Sequence, residues 1–467
     1  MDAFDQTGDL ESRLRSRSHD RNGSRAAPES ALIEESQLSL SACKQNRALT
    51  QHLMEEVCRR DNLNQAYLRV KRNKGSAGVD GMKVEDLHDW IVEHKHAFIQ
   101  SLLNGDYKPD AVRGVKIPKS GGGQRQLGIP TVRDRLVQQA ILQVLSPLLE
   151  KKFSNASHGF RPKRSAHSAL KESQKYVKSG KLIVVDIDLE KFFDKVNHDR
   201  LMNRLSQEVG DKRLLRIIGS FLRSGMIEGG LGIVRREGTP QGGPLSPLLA
   251  NFVLDELDKE LEHRGHSFVR YADDCNIYVR TKRAGERVMH SVKRFIEDKL
   301  KLKVNETKSS VSFVGNCKFL GHRILAGGRL SIAPKSLREA KKKLKVLLRR
   351  TRGRKLEQVI HEVNRFTIGW IAYYRDASMR NHTVELDSWI RRKLRCYRIK
   401  QCKRKSSIRR FLEKLGVPKE RARLAGVSRV SWWRLSGSPP VHEGMNNKWF
   451  KELGLSSLEK RWKALQT

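Results

Sequence analysis

Apolar residues recur at helical spacing from Leu53 to Leu68, and a Gly-rich turn follows at Asn73–Gly81. Two short apolar segments, Val112–Ile117 and Gln126–Ile129, flank a loop at Pro118–Gly123 that ends in three glycines, which predicts a β-hairpin with a flexible tip. Helices are expected over about 131–151 and 164–178. At Lys181 the pattern changes. Leu182–Ile187 is an almost continuous apolar run, as suits a strand buried on both faces. Helices over about 198–206 and 211–224, a Gly/Pro cluster at Gly238–Pro247 and a strong helix at Leu248–Leu261 come next. Phe268–Val279 reads as two strands joined by an acidic turn. A helix over about 284–300 and strands at about 309–314 and Phe319–Ile324 complete a mixed region, which predicts an α+β sheet domain over 180–325. After Pro334 the chain turns helical and strongly basic, so a domain boundary falls near 328–335. There are no internal repeats.

Length and charge sharpen this picture. A chain of 467 residues is long enough for two or three cores. Its 93 Lys and Arg against 52 Asp and Glu leave a formal charge of +41. Self-repulsion on that scale calls for a polyanion, and phosphate backbones are the usual one. Cys43, Cys58, Cys275, Cys317, Cys396 and Cys402 form no Cys-x-x-Cys pair, which disfavours a zinc ribbon or disulfide framework and favours a reducing compartment. No apolar run approaches the ~20 residues that span a bilayer. The first residues carry no signal-peptide core and read as a disordered leader.

Two acidic clusters interrupt apolar strands. Asp186 and Asp188 are two apart in LIVVDIDLEKFF (182–193), so on a strand they share one face. Asp273 and Asp274 sit at the expected turn of FVRYADDCNIYV (268–279). Burying carboxylates beside Val, Ile and Phe is costly unless their charge is compensated. Lys or Arg side chains are one solution in so basic a chain. The other is a divalent metal site, in which two Mg²⁺ ions about 3.5–4 Å apart stabilise the attacking and leaving oxygens of a phosphoryl displacement. Three carboxylates from two neighbouring strands fit that geometry, and either cluster alone is weak evidence for it.

Tyr271-Ala272-Asp273-Asp274 resembles the YxDD box of reverse transcriptases, and DIDLEKFFDKVNH (186–198) their first catalytic motif. The surrounding blocks resemble one branch, the reverse transcriptases encoded by bacterial group II introns. They are NKGSAGVDGM (73–82), IPKSGGGQRQLGIPTVRDRLVQQAI (117–141), HGFRPKRSAHSAL (158–170), GTPQGGPLSPLLANFVLDELD (238–258), NETKS (305–309) and FLGHRI (319–324), in order over roughly residues 55–375. The resemblance implies an α+β right-hand polymerase. Fingers and palm with an antiparallel sheet (40–330) would follow a disordered leader (1–39). An all-α thumb/maturase domain (331–412) and a basic C-terminal helical, nucleic-acid-binding segment (413–467) would come after them.

It also implies RNA-directed DNA synthesis with two Mg²⁺ ions, intron RNA as template, a DNA primer or target, and dNTPs as substrates. Carried over residue by residue, the metal-binding catalytic carboxylates are Asp188, Asp273 and Asp274. Asp188 is chosen because an aromatic, Phe193, follows five residues later; Asp186 is the runner-up. Phe193, or Phe192 beside it, would exclude a ribose 2′-OH. Lys119, Arg125, Gln241 and Arg161 would contact the incoming nucleotide or template, and Lys308 would protonate pyrophosphate. Phe319, Leu320 and Gly321 would form the primer grip.

NRFTIGWIAYYRDA (364–377) resembles the family's maturase domain, where Tyr373 and Tyr374 are candidates for stacking on RNA bases. Helical spacing makes Trp370 a core residue. Many relatives end in a His-Asn-His endonuclease with paired Cys-x-x-Cys motifs; Cys396 and Cys402 lack such partners, so no such domain is expected here. The expected setting is the bacterial cytoplasm in association with the nucleoid, with no membrane segment. Two other readings stand beside this one: a reverse transcriptase recruited to defence or DNA repair, and a mainly non-enzymatic splicing factor.

Overall fold

A computed structural model describes residues 50–118, 122–228, 231–233, 237–239, 242–428 and 430–466. The expected leader, Lys119 and Gln241 lie outside the described residues. The first helix is interrupted where the sequence predicts continuity: α1 (Leu53–Cys58) and α2 (Arg60–Asn73) meet at Arg59, whose extended ψ of 137° breaks the ladder. A helix not expected from the sequence, α3 (Leu87–Leu103), follows.

β1 (Val112–Pro118) and β2 (Gln124–Ile129) form the expected antiparallel hairpin, paired from Arg113↔Ile129 to Pro118↔Gln124. Further along come α4 (Val132–Glu150), α5 (Ala166–Lys178), β3 (Ile183–Ile187), α6 (Phe192–Lys195), α7 (His198–Glu208), α8 (Lys212–Arg223), β4 (Met226–Glu228) and β5 (Leu231–Ile233). β4 joins β1 in parallel, so the first sheet runs β2-β1-β4-β5. α4 starts cleanly because the Thr131 hydroxyl accepts from the Asp134 N–H, satisfying a donor that the helix leaves free.

The second sheet holds the acidic clusters. After α9 (Ser246–His263) come β6 (Ser267–Tyr271), β7 (Asp274–Val279), α10 (Lys282–Asp298) and β8 (Ser310–Phe313), and the strand order is β6-β7-β3-β8, antiparallel throughout. β3 is central and buried on both faces. Val185 and Ile187 belong to the core shared with the N-terminal helices, whereas Val184 belongs to a second core shared with the C-terminal helices. Strict alternation along the strand therefore puts Asp186 and Asp188 on the side of the second core.

A two-stranded hairpin, β9 (His322–Ile324) and β10 (Leu330–Ile332), leads into α11 (Pro334–Leu347), α12 (Leu356–Tyr373) and α13 (Arg380–Gln401). Six short helices follow: α14 (Lys405–Lys414), α15 (Lys419–Val427), α16 (Trp432–Leu435), α17 (Pro439–Gly444), α18 (Asn447–Glu452) and α19 (Leu458–Ala464). They fold back onto the preceding three. Phe450 and Leu458 enter the same core as Val359 and Leu386. The Asp387 carboxylate accepts from the Leu458 and Glu459 N–H groups at the start of α19, and the Trp462 indole donates to the carbonyls of Arg375 and Ala377. Among the described residues no helix is long and apolar enough to cross a membrane.

Candidate active site

The acidic turn is a tight hairpin. Tyr271 pairs with Asp274, leaving Ala272 and Asp273 as a two-residue loop. Ala272 takes the left-handed φ of 58° while Asp273 does not, the pattern of a type II′ turn. Such a backbone costs a non-glycine residue about 1–3 kcal/mol and persists only where its surroundings enforce it. β3 pairs with β7 up to Ile187↔Cys275, and one step further along that register sets Asp188 opposite Asp274. Asp188 is pinned on its other side by the NETKS block. Its N–H donates to Ser309 Oγ at 3.0 Å, its carbonyl accepts from the Asn305 N–H at 2.8 Å, and its carboxylate accepts from Lys308 Nζ at 3.1 and 3.2 Å.

Two of the carboxylates, Asp186 and Asp274, register the crowding. Burial, with the charges of Asp274 and Asp188, pushes Asp186 up to about 7. Burial, with Asp273 and Asp188, pushes Asp274 up to about 6 against the opposing pull of Lys308 and Lys318. A cluster that resists its own ionisation is one that a hard divalent cation would relieve, and its donors are all carboxylate oxygens, the chemistry that suits Mg²⁺. Among the described residues, no three His, Cys, Asp or Glu side chains stand together as a ready-made metal cage. Mg²⁺ usually takes only one or two protein carboxylates and completes its shell with water and substrate phosphate.

Other blocks close on this point. Phe193 and Phe192 are both buried, at 7% and 2% exposure, with ring centroids 5.2 Å apart. The Phe193 carbonyl accepts from the Thr239 N–H at 2.6 Å, and the Val196 carbonyl from the Gly238 N–H at 2.7 Å. His198 Nε2 donates to the Gly238 carbonyl at 2.6 Å. Gly238 and Thr239 are thereby tied to the segment that follows Asp188. Gly242, at φ 138°, lies so close to β2 that a Cβ on it would stand 2.4 Å from the Gly128 carbonyl oxygen. Only glycine fits there. Two sequence blocks more than a hundred residues apart thus meet backbone to backbone, beside the hairpin that carries Arg125 on its exposed edge.

Comparison with known proteins agrees with this geometry. Residues 117–324 match the family model for reverse transcriptase (RNA-dependent DNA polymerase), and residues 337–416 that for the group II intron maturase-specific domain. Protein YkfC of Escherichia coli (strain K12) is 32% identical over 316 residues, covering 59% of this chain and 83% of that protein. The chain belongs to the group II intron-type reverse transcriptases. The group II intron-encoded protein LtrA of Lactococcus lactis subsp. cremoris is 31% identical over 326 residues; the match covers 56% of this chain and about half, 54%, of LtrA. Among solved structures, a chain of a partial Cas6-RT-Cas1–Cas2 complex aligns with 28% identity and a TM-score of 0.35, over 52% of this chain and 42% of that one. By its family this protein is an RNA-directed DNA polymerase that carries a maturase domain.

Three residues expected to touch nucleic acid in this reverse transcriptase are engaged elsewhere. Arg161 is 7% exposed; its guanidinium donates to the Glu150 carboxylate and to the carbonyls of Ser154 and Ser157. It holds the end of α4 to the following loop, and all three of its nitrogens are engaged in doing so. Tyr374 is buried, and a Cβ at Gly321 would stand 2.5 Å from its hydroxyl. Tyr373 donates its hydroxyl to the Leu320 carbonyl at 2.9 Å, and its ring packs on His167 and His322. Tyr374 is thus closed off within the fold, while Tyr373 stays partly exposed. Both brace the Phe319–Leu320–Gly321 segment, which is a tight turn rather than the expected strand: Phe319 and His322 exchange both backbone hydrogen bonds, with φ of 47° at Leu320 and 79° at Gly321. Arg270, Asn251 and Asp258, to which the sequence reading assigns no role, lie buried behind the acidic turn.

Proposed function

We propose that this protein copies RNA into DNA at Asp188, Asp273 and Asp274, and that its thumb/maturase region, with the +41 chain charge, binds the intron RNA whose splicing and mobility it assists. Asp188 standing opposite Asp274, with Asp273 at the adjoining turn, is the observation that carries the reading. When bound, two Mg²⁺ ions would supply charge neutralisation to the attacking and leaving oxygens. The primer's 3′-hydroxyl attacks the α-phosphorus of the dNTP, the bond to pyrophosphate breaks, and pyrophosphate leaves.

The chain's own residues do the positioning. Lys308, ion-paired with Asp188, is the candidate proton donor to pyrophosphate. Phe193, or Phe192 beside it, is the proposed barrier to a ribose 2′-hydroxyl, and both rings are buried. Lys119 and Arg125 from the β1–β2 hairpin, with Gln241, are proposed to reach the incoming nucleotide. On this reading the polymerase occupies 40–330, the thumb/maturase domain 331–412 and a basic nucleic-acid-binding segment 413–467. The protein would reside on the bacterial nucleoid, to which a polycation is drawn.

Asp186 is the alternative to Asp188, and its setting supports the second place. It lies within β3, opposite Asn276 and Ser310, with its pKa raised first by burial and opposed by a hydrogen bond with Cys317. Primer extension by Asp188→Ala and Asp186→Ala, with RNA affinity measured in parallel, separates them. The reading requires that Asp188→Ala lose cDNA synthesis and keep RNA binding. Full activity in Asp188→Ala would remove it.

A further inference from the structure

Behind the acidic turn sits a buried charge network that takes no direct part in nucleotide transfer. The Arg270 side chain is 1% exposed and that of Asp258 0% exposed. Arg270 Nε donates to Asp258 Oδ1 at 2.7 Å and an η-nitrogen to Oδ2 at 2.5 Å, a two-pronged pair. The other η-nitrogen donates to Asn251 Oδ1 at 3.0 Å and to the Ala272 carbonyl at 2.9 Å. Asn251 completes the network by donating to the Gly159 carbonyl at 2.7 Å. Asn251 and Asp258 are seven residues apart on α9, so they share one face of that helix.

Gly159 is pressed against the turn itself, where a Cβ would stand 2.3 Å from the Ala272 nitrogen. The Arg270 backbone is held as well: its N–H donates to Ala156 at 2.9 Å and its carbonyl accepts from His158 at 2.8 Å. Three blocks distant in sequence, around 158, 251–258 and 270, therefore converge on Ala272, the residue with the left-handed φ. A buried ion pair is weak evidence for stability, because desolvation offsets its attraction and an apolar pair of similar volume often serves as well. Its geometry points to another use.

We propose that Arg270, clamped by Asp258 and Asn251, is a positioning residue of the polymerase site: by binding the Ala272 carbonyl it holds the turn in its strained form and so sets the aim of Asp273 and Asp274. The proposal rests on the assignment of those two carboxylates to catalysis. Arg270 touches no reacting atom. It acts through one peptide carbonyl, and a displacement of about 1 Å at a catalytic group costs on the order of 100-fold in rate.

Two variants test this in the full chain. Asn251→Ala removes one acceptor of Arg270 and the tie to Gly159 without stranding a charge. The double variant Asp258→Leu/Arg270→Met replaces the pair with apolar groups, so no unpaired ion stays buried. On an RNA template with a DNA primer, the rate of incorporation at saturating dNTP is expected to fall roughly 10-fold in the first and roughly 100-fold in the second. The primer–template Kd and dNTP KM should stay within about 2-fold of wild type in both, since neither contact surface is touched.

Wild-type rates in either variant overturn the proposal. So does a fall in rate matched by an equal loss of primer–template affinity and of Tm, which marks a merely structural pair. If the double variant does not fold, Asn251→Ala decides alone. Asp273→Ala is run beside them: activity in that variant sinks the catalytic assignment itself, whereas its inactivity beside a fully active double variant sinks only the positioning role.

Discussion

Lys308 Nζ lies 3.1 and 3.2 Å from the two carboxylate oxygens of Asp188. The lysine is 62% exposed, so the pair is screened and adds little to stability. Its value is electrostatic tuning of the cluster beside it, because Lys308 is also one of the charges that hold Asp274 down against burial.

Protons should compete with Mg²⁺ at this cluster. Asp186 is pushed up to about 7 and Asp274 up to about 6, so the carboxylates are ionised above that range and take up protons as the pH falls through it. The half-saturating Mg²⁺ concentration for primer extension should therefore rise as the pH is lowered from 8 to 6. Lys308→Met removes a charge that favours ionised Asp274, so its acid limb should move to higher pH. A limb that stays in place, or moves to lower pH, contradicts the coupling.

The contact of Gly242 with Gly128 predicts a sharp steric effect. A methyl group at 242 would stand 2.4 Å from a backbone oxygen at a φ of 138°, so the loop must move away from β2. Gly242→Ala should lower kcat/KM for dNTP by roughly 10- to 100-fold, as expected for a displaced positioning element. Thermal unfolding should shift little, because the loop is not part of a core. Unchanged kinetics would show that the meeting of the two blocks does not matter for catalysis.

Tyr373 and Tyr374 distinguish bracing from stacking. Tyr373→Phe deletes the hydroxyl bond to Leu320 and keeps the aromatic ring. The expected loss is about 1 kcal/mol of stability, with a weaker grip on primer and no change in affinity for structured RNA. Gly321→Ala, which drives a methyl group towards the Tyr374 hydroxyl at a φ of 79°, should be the more damaging of the two. Loss of RNA affinity in Tyr373→Phe without any effect on the primer would favour direct contact with RNA.

His158 gives the fold a pH-sensitive element of known sign. Burial, with Arg164 nearby, lowers it to about 4, so the folded protein keeps it neutral while an unfolded chain protonates it near the ordinary value of about 6.5. The folded value is depressed; the unfolded state therefore binds more protons between these limits, and stability is lost as the pH falls through them. Its Nε2 is buried with no hydrogen-bond partner among the described residues, while Nδ1 lies 2.8 Å from Ser168 Oγ. In denaturant titrations between pH 7.5 and 4.5, His158→Gln should lose less stability than the wild type. An equal or larger loss in the variant would place the acid sensitivity elsewhere.

Periodicity and turn chemistry were enough to read the frame of the site. The apolar run before Asp186, the acidic two-residue turn and the long helix after the Gly/Pro cluster all stand as β3, the β6–β7 hairpin and α9, with ends displaced by a residue or two. Strands of three residues, β4 and β5, carry no detectable alternation, and α3 lacks a clean apolar stripe. FLGHRI reads as a strand because its side chains suit one; the left-handed backbone at Leu320 is held by a distant partner, the Tyr373 hydroxyl at the end of α12 that binds its carbonyl. Arg161 misleads, and Arg270 goes unread, for one reason. An arginine in a basic chain reads as a surface contact for phosphate, and its burial depends on Glu150 or Asp258, partners that only the tertiary fold supplies.

Primer extension on an RNA template with Mg²⁺, run with dNTPs and separately with rNTPs, by the wild type and by Asp273→Ala, tests the central claim most directly. The wild type should extend the primer with dNTPs and discriminate against rNTPs, and Asp273→Ala should make no cDNA while binding RNA as tightly as before. Extension by Asp273→Ala at the wild-type rate would contradict the assignment of this turn to catalysis.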